Sequence, residues 1–338
     1  MRLGVDTTSI DDGPSGARAR LEGLLPALLD HDDGILLTLF LPAGCERPVV
    51  PEGSRVRHVA TPLRPGRPVR RWLRGRTRPG LVAGDGSDVF LTDYHPVLAS
   101  PPTLVTIHDL RSLHGIGSRL RAGYFRWRMP ALLRRAAGVI VPSRTVATEV
   151  AGRLGADPGR IHVVPNAPSP NLSPDGPKED LGEPYVLHLG PDVPRKNLDV
   201  LRLSPVPVVL AGRAPLRASP PFRPVGPVDE DRRARLIRGA AAVVMPALCE
   251  GFGLPVVEAF AGGTPVIASR AGALPEVVGD AGALLDPDDA GAWCDAIRAV
   301  LGNPDEGREA RLARAARYTW SAAANALVGI LRVRHARR

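Results

Sequence analysis

Along this chain of 338 residues, short apolar runs alternate with stretches of helical spacing. RLGVD (2–6), ILLTLFLP (35–42), RVRHVA (55–60), DVFLTD (88–93), PTLVTIHD (102–109) and GVIVPS (138–143) are too short for helices, are rich in Val, Ile and Leu, and read as strands. Between them, GARARLEGLLPALLDH (16–31), YFRWRMPALLRRAA (124–137) and RTVATEVAGRLG (144–155) place apolar residues three and four apart and read as helices. Residues 165–184, PNAPSPNLSPDGPKEDLGEP, break every periodicity with six prolines. The pattern then restarts. YVLHLG (185–190), PVVLAG (207–212), AAVVMPA (241–247), TPVIAS (264–269) and GALLD (282–286) read as strands, and DEDRRARLIRGA (229–240), LPVVEAFAGG (254–263) and DAGAWCDAIRAVLG (289–302) as helices.

Strand and helix in alternation predict an α/β protein with parallel, doubly wound sheets. The break predicts two Rossmann-like domains: 1–168, a linker over 169–182, a second domain over 183–318, and a closing helix within 319–338. Open parallel sheets bind ligands at the carboxyl ends of their strands, so two such domains are expected to face each other across a central cleft. Two crossovers in the second domain are short of helix. Only eight residues separate Asn197 from the strand near Val206, and RAPLRASPPFRP (213–224) is too rich in proline to be one.

Composition narrows the class. Cys45, Cys249 and Cys294 are odd in number, widely spaced and without a CxxC, which argues against disulfides and structural zinc and for the cytoplasm. No apolar stretch approaches the roughly 18 residues of a membrane span, and MRLGVDTTSI reads as a first strand rather than a signal peptide. The net charge of +9 is carried by arginine: seven in residues 64–78 and six in 118–135, the latter interleaved with Tyr124, Phe125 and Trp127. Such clusters are a solvated basic face, a contact for a phosphorylated or lipid-linked acceptor or an anionic membrane, or a nucleic-acid surface. No nucleic-acid module is recognisable, so nucleic acid is the least favoured, although a non-enzymatic basic binding protein stays as the rival from another class.

Two stretches carry candidate chemistry. In CEGFGLPVVE (249–258), Glu250 sits in a Gly-rich turn between a strand and a helix beginning near Pro255. The helix N-terminus offers N–H groups and a positive dipole end to an anion. Glu258, one turn in, could accept from two vicinal hydroxyls such as those of a ribose; the plain alternative is a solvated glutamate at an ordinary helix start. In VPRKNLDV (193–200), Lys196 is one of only two lysines, Lys178 being the other, in a chain otherwise committed to arginine.

EGFGLPVVE, followed by AFAGGTPVIA (259–268) and LPEVVGDAGALLDPDD (274–289), closely resembles the retaining family 4 glycosyltransferases of the GT-B fold, whose signature is two glutamates separated by seven residues. The resemblance covers most of residues 183–320. It implies that YVLHLGPDVPRKNLDVL (185–201) is the family's second signature, with Gly190 in the loop that ends a strand and Arg195 and Lys196 reaching the diphosphate of the donor. A lysine is a compact point charge where an arginine is a planar fork, so the pair can neutralise a diphosphate without two guanidiniums crowding one place. By the same resemblance Glu250 orients the donor sugar, Gly251, Phe252, Gly253 and Leu254 form the donor loop, and Glu258 holds the ribose. DDGPSGARARLEGLLPAL (11–28) is similar to the family's glycine-rich first loop, with Gly16 near donor phosphate or sugar, although an aromatic is common where Ala19 stands. TIHDL (106–110) is similar to its histidine motif, placing His108 by the transferred sugar and acceptor with Asp109 beside it; without that context a lone strand-end histidine is more often structural. Ser143 is read as a helix cap, and the last helix is expected to cross back onto the first domain.

The implied activity is transfer of a sugar from a nucleotide diphosphate-sugar to an acceptor hydroxyl on a cell-envelope glycan, glycolipid or natural product, with retention and with no metal or other cofactor. Other enzymes fit less well. Asp286 and Asp288 in LLDPDD could mimic a metal-binding Asp-x-Asp, but Asp-Pro-Asp is a natural turn. GxGxxG does not follow the first strand, against a dehydrogenase. Lys196 is poorly set to hold the pyridoxal phosphate of a phosphorylase, and nothing of the pattern of a sugar-nucleotide epimerase is present.

Overall fold

The computed structural model describes residues 1–10, 13, 15–62, 86–93, 102–116, 119–213 and 217–336. The arginine cluster at 64–78 therefore lies outside the described residues, as does Ser118 of the second cluster. The chain forms two compact units, Met1–Asn166 with Trp320–Arg338, and Ala167–Thr319.

The first unit runs β1 (Arg2–Asp6), α1 (Gly16–His31), β2 (Leu36–Leu41), β3 (Val56–Ala60), β4 (Val89–Asp93), β5 (Thr103–Thr106), α2 (Arg119–Trp127), α3 (Met129–Arg135), β6 (Gly138–Val141), α4 (Arg144–Leu154) and β7 (Ile161–Val163). Its seven strands are all parallel, in the order β3-β2-β1-β4-β5-β6-β7. α1 starts where Ser15, in extended backbone, accepts from the Arg18 N–H at 3.2 Å, and it buries Leu21, Leu24, Leu25, Leu28 and Leu29 on one face. Ser143 caps α4 in the same way, accepting from the Val146 N–H. The single helix read over 124–137 is in fact two, divided at Arg128. Pro130, in the first turn of α3, has no N–H for the carbonyl four residues back, and its ring crowds that carbonyl.

The second unit runs β8 (Val186–Leu189), β9 (Val208–Ala211), β10 (Phe222–Gly226), α5 (Glu230–Gly239), β11 (Ala242–Met245), α6 (Leu254–Ala261), β12 (Val266–Ser269), α7 (Leu274–Val278), β13 (Ala283–Leu285), α8 (Ala290–Gly302) and α9 (Arg308–Ala315). Its six strands are parallel, in the order β10-β9-β8-β11-β12-β13. The crossover after Asn197 is a single 3₁₀ turn, Leu198–Leu201. Its buried Leu198, Val200 and Leu201 join Val208, Leu210 and Trp293, so one turn covers the sheet face that a helix would otherwise cover. β10 is a strand that the sequence reading leaves out: Pro224 weakens its signal, and the strand is tolerated because it lies at the sheet edge, with a register shift at Pro224/Gly226. The Pro-rich stretch read as a linker is fastened to α5. Arg232 and Arg235 pair with Glu179, the Glu179 N–H donates to the Arg235 carbonyl, and Arg238 donates to the carbonyls of Pro177 and Ser173.

The last helix, α10 (Trp320–His335), belongs to the first unit. Ala323, Ala324, Leu327, Val328 and Leu331 enter the core that holds β1, β2 and α1. Gly23 of α1 lies against the Trp320 indole so closely that a Cβ there would come within 2.1 Å of it. Among the described residues no helix is long and apolar enough to cross a membrane.

Candidate functional site

Strand order in the second unit reverses between β8 and β11, and in an open parallel sheet that is where a crevice opens at the carboxyl ends. The two strands are in register only at Val186↔Ala242 and Leu187↔Val243, although each continues for two more residues. The loops that leave them carry the candidate residues.

The loop after β8 begins at Gly190, whose φ of +130° suits glycine. The loop after β9 presses on it: a Cβ on Gly212 would stand 2.7 Å from the Gly190 backbone. A 3₁₀ turn, Pro194–Lys196, follows and ends at Asn197 in left-handed conformation, φ 52°, with its side-chain amide donating to the Pro287 carbonyl at 2.7 Å. The Leu248 N–H donates to the Arg195 carbonyl at 2.9 Å, tying this turn to the loop after β11. Glu250 in that second loop accepts from Arg195 Nη1 at 3.0 Å and Lys196 Nζ at 2.8 Å, both on Oε1. The Lys196 side chain is 8% exposed and that of Glu250 18%, so two cations converge on one carboxylate in a largely desolvated place, with one positive charge in excess. The lysine stem lies along Gly190, its Cε 3.6 Å from where a Cβ would be. Outside this, Arg217 clamps the shortened crossovers. It donates to Asp192 and to Asp199 Oδ1 at 2.7 Å and stacks on Phe222 at 4.8 Å, and its proximity holds the Asp199 carboxyl below the usual range.

Glycines also shape the Glu250 loop. Gly253 has φ +95°, and a Cβ there would meet Leu274 at 2.7 Å; a Cβ on Gly272 would lie 2.5 Å from the Glu250 carbonyl oxygen. Phe252 is buried edge-on to Tyr318, so it serves as an anchor, and Gly251 and Gly253 on either side of it are buried as well. α6 begins at Leu254 with Pro255 in its first turn and no side-chain cap. Glu258 lies inside α6, 4% exposed, and both its carboxylate oxygens accept from Arg233 of α5, Nε at 3.1 Å and Nη2 on the second oxygen. Burial alone would weaken the Arg233 charge; the Glu258 carboxylate outweighs it and raises the pKa. Glu258 does lie one turn into a helix, but the plain alternative of a solvated glutamate gives way to a buried carboxylate held in a bidentate pair.

His188 of β8, unremarked in the sequence beyond being a polar residue in an apolar run, is fully buried. Its Nδ1 faces the Val244 carbonyl at 3.2 Å. Burial first, then the Lys196 charge, push its pKa down to about 3, against smaller opposing effects of Val244, Glu250 and Asp192. Asp286 and Asp288 form an Asx turn, with the Asp288 N–H donating to Asp286, and Asp289 caps α8. Among the described residues no three His, Cys, Asp or Glu side chains gather in a way that could hold a metal ion.

In the first unit, order reverses between β1 and β4, and a small cavity there is lined by Asp6, Arg20, Thr92, Thr106 and His108, among others. Asp6 accepts from the Thr8 N–H at 2.9 Å and from Thr92 Oγ1 at 3.1 Å. Arg20 donates to the Val164 carbonyl and to Asn166. His108 therefore lines a recess of mixed polar and aliphatic side chains, whereas Asp109 turns back to accept from the Arg111 N–H at 3.1 Å and pairs with its guanidinium. A Cβ on Gly16 would meet nothing within 4 Å, so no neighbour in the chain itself demands glycine at that helix start.

The two Rossmann-like units, each with its strand reversal, take their class from the comparisons: a glycosyltransferase. Residues 17–170 match the model of Glycosyltransferase Family 4, and residues 194–303 that of Glycosyl transferases group 1. The O-antigen chain mannosyltransferase RfbU of Salmonella typhimurium is 28% identical over 252 residues, 69% of this chain and 70% of the relative. Among solved structures, a sucrose-phosphate synthase from Thermosynechococcus elongatus superposes with TM-score 0.80 at 21% identity over the whole of both chains. Anabaena HepE in complex with UDP and glucose superposes with TM-score 0.71 at 17% identity, over 98% of this chain and all of that one. The chain is a family 4-like glycosyltransferase of the GT-B fold.

Two outcomes follow from the buried charges. Glu258→Ala leaves the half-buried Arg233 guanidinium without its carboxylate, and urea denaturation should show a loss of about 1–3 kcal/mol; replacing both by methionine should cost less. For His188, the unfolded imidazole protonates near 6.5 and the folded one only near 3. Between those values the unfolded chain binds the extra proton, so stability falls as pH is lowered through that window. The urea midpoint of the wild type should therefore drop further between pH 7 and pH 4.5 than that of His188→Phe.

Proposed function

We propose that the protein moves a sugar from a nucleotide diphosphate donor to an acceptor hydroxyl with retention of anomeric configuration and without a metal ion. The observation that supports this best is the convergence of Arg195 and Lys196 on Glu250 in the β8/β11 crevice, beside the uncapped start of α6. In this reading the two cations and the first-turn N–H groups of α6 stabilise the negative charge that grows on the departing diphosphate. Glu250 accepts from hydroxyls of the donor sugar and at the same time holds both cations in place. Glu258, oriented by Arg233, keeps one lone pair on each oxygen for the ribose. Gly190, Gly251 and Gly253 let backbone approach the donor. His108 and Asp109 serve the acceptor side.

The bond from the anomeric carbon to phosphate breaks as the acceptor oxygen attacks the same face, and the proton of the acceptor passes to the departing phosphate oxygen. Fixed cations take the part that a metal ion plays elsewhere. A donor carrying UDP is favoured by the structural similarity to HepE, and a mannosyl or related sugar by the similarity to RfbU. Lys196→Ala should lower turnover at least 10²-fold, the scale of losing one charge-stabilising donor. The same variant should abolish the stabilisation that one of UDP, GDP, ADP or dTDP gives the wild type in thermal unfolding, with its own unfolding otherwise cooperative. Wild-type turnover in the variant would overturn the assignment.

One observation bears on the acceptor and on a cytoplasmic membrane face. α2 exposes Leu120 and Trp127, 74% and 77% accessible and seven residues apart on one helix face, with Arg119 and Arg126 exposed nearby. No acidic residue occurs between Asp109 and Glu149. An apolar stripe among arginines suits an anionic lipid surface that presents a lipid-linked acceptor. The protein should sediment with phosphatidylglycerol-containing vesicles and not with pure phosphatidylcholine, and Leu120→Ser/Trp127→Ser should release it.

A further inference from the structure

Gly190 and His188 lie two residues apart on β8 and its exit, so their side-chain positions share one face of the sheet. The point that a Cβ on Gly190 would occupy is 3.8 Å from His188 Nε2, 3.9 Å from Lys196 Nζ and 3.6 Å from Lys196 Cε. Among the described residues no other heavy atom is nearer to it apart from glycine's own chain neighbours, so the glycine leaves a cradle bounded by an imidazole nitrogen and an ammonium group. Gly190 itself is partly exposed, at the start of the loop that leaves β8.

The chemistry of the two nitrogens is fixed. The Val244 carbonyl can only accept, so Nδ1 of His188 must carry the proton and Nε2 must be a bare lone pair. Burial and the neighbouring lysine keep the ring neutral at physiological pH. Among the described residues Nε2 has no hydrogen-bond partner, although it is fully buried. A buried acceptor without a donor is costly, and such an atom calls for an explanation. Lys196, on the far side, donates to Glu250 and has further N–H bonds to give.

What fits between a lone pair and an ammonium is a group that both donates and accepts. A phosphate oxygen does not, because it would set acceptor against acceptor at Nε2. We propose that the cradle over Gly190 is a binding site for one hydroxyl oxygen, which accepts from Lys196 and donates to His188 Nε2. The neutral imidazole holds the lysine through this bridge without cancelling its charge, as a second carboxylate would. The assignment rests on the donor reading above, and the hydroxyl belongs either to the transferred sugar or to a water molecule that lies beneath the diphosphate.

The test compares wild type with His188→Phe, which keeps a ring of similar volume and removes the lone pair, and with His188→Gln, which keeps an acceptor. Dissociation constants are measured calorimetrically for UDP, GDP, ADP and dTDP and for the glucose conjugate of each, with GDP-mannose added. His188→Phe should weaken the ligand that binds wild type by about tenfold, the worth of one hydrogen bond of about 1.4 kcal/mol, and His188→Gln should recover part of it. A loss confined to the sugar conjugate assigns the hydroxyl to the sugar; an equal loss for nucleotide and conjugate assigns it to water. Unchanged affinity for both in His188→Phe overturns the site while leaving the donor reading standing. A wild type that binds none of these ligands overturns both. Should His188→Phe fail to fold, the ¹⁵N resonance of His188 Nε2 in the wild type decides: it should move when the binding ligand is added, and a resonance that stays in place overturns the proposal.

Discussion

The site in the second unit depends on the parting of β8 from β11. Strands that diverge after two register pairs cannot satisfy each other's last backbone groups, and the chain repairs this with particular side chains and loops. His188 fills part of the gap and meets the Val244 carbonyl, and the Leu248 N–H reaches across to Arg195. The gap that costs the sheet its hydrogen bonds is also where two cations and a carboxylate can gather with little water around them. At low dielectric each of their charges acts over a longer distance than it would at the surface, which is why an excess of a single positive charge there carries weight.

The pared-down crossovers show how little chain is needed to hold such a site. One 3₁₀ turn supplies three buried aliphatic side chains in place of a helix, and Arg217 binds the two flanking loops through Asp192 and Asp199. Arg217 is partly exposed, so each ion pair contributes at most about 1 kcal/mol after screening. Its value is geometric: a planar guanidinium with three bonds and an aromatic face beneath it fixes direction as well as distance.

Much of this was legible in the residues. Most strands and helices announced themselves by period, and EGFGLPVVE and PRKN pointed to the loops where the charges meet. What escaped was whatever depended on distant partners. Nothing in DEDRRARLIRGA distinguishes Arg233 from its neighbours, yet it alone forks onto Glu258, 25 positions later. β10 hid behind Pro224, because a single proline is incompatible with a central strand and harmless in an edge strand. The break between α2 and α3 was written in Pro130 but overridden by a run of good helical spacing on both sides. Gly16 and Phe252 show what a motif position leaves open: it identifies a loop without saying whether a given side chain faces ligand, core or open space.

The return of α10 to the first unit has a consequence for how the chain is made. Five of its side chains complete a core whose other walls, β1, β2 and α1, emerge from the ribosome nearly 300 residues earlier. At roughly 5–20 residues per second, those walls wait some tens of seconds with apolar surface uncovered. The second unit, contiguous in sequence, can meanwhile close on itself. The half synthesised first is therefore the half finished last, and during that interval its safety from aggregation rests on chaperones or on the charge of its own arginines.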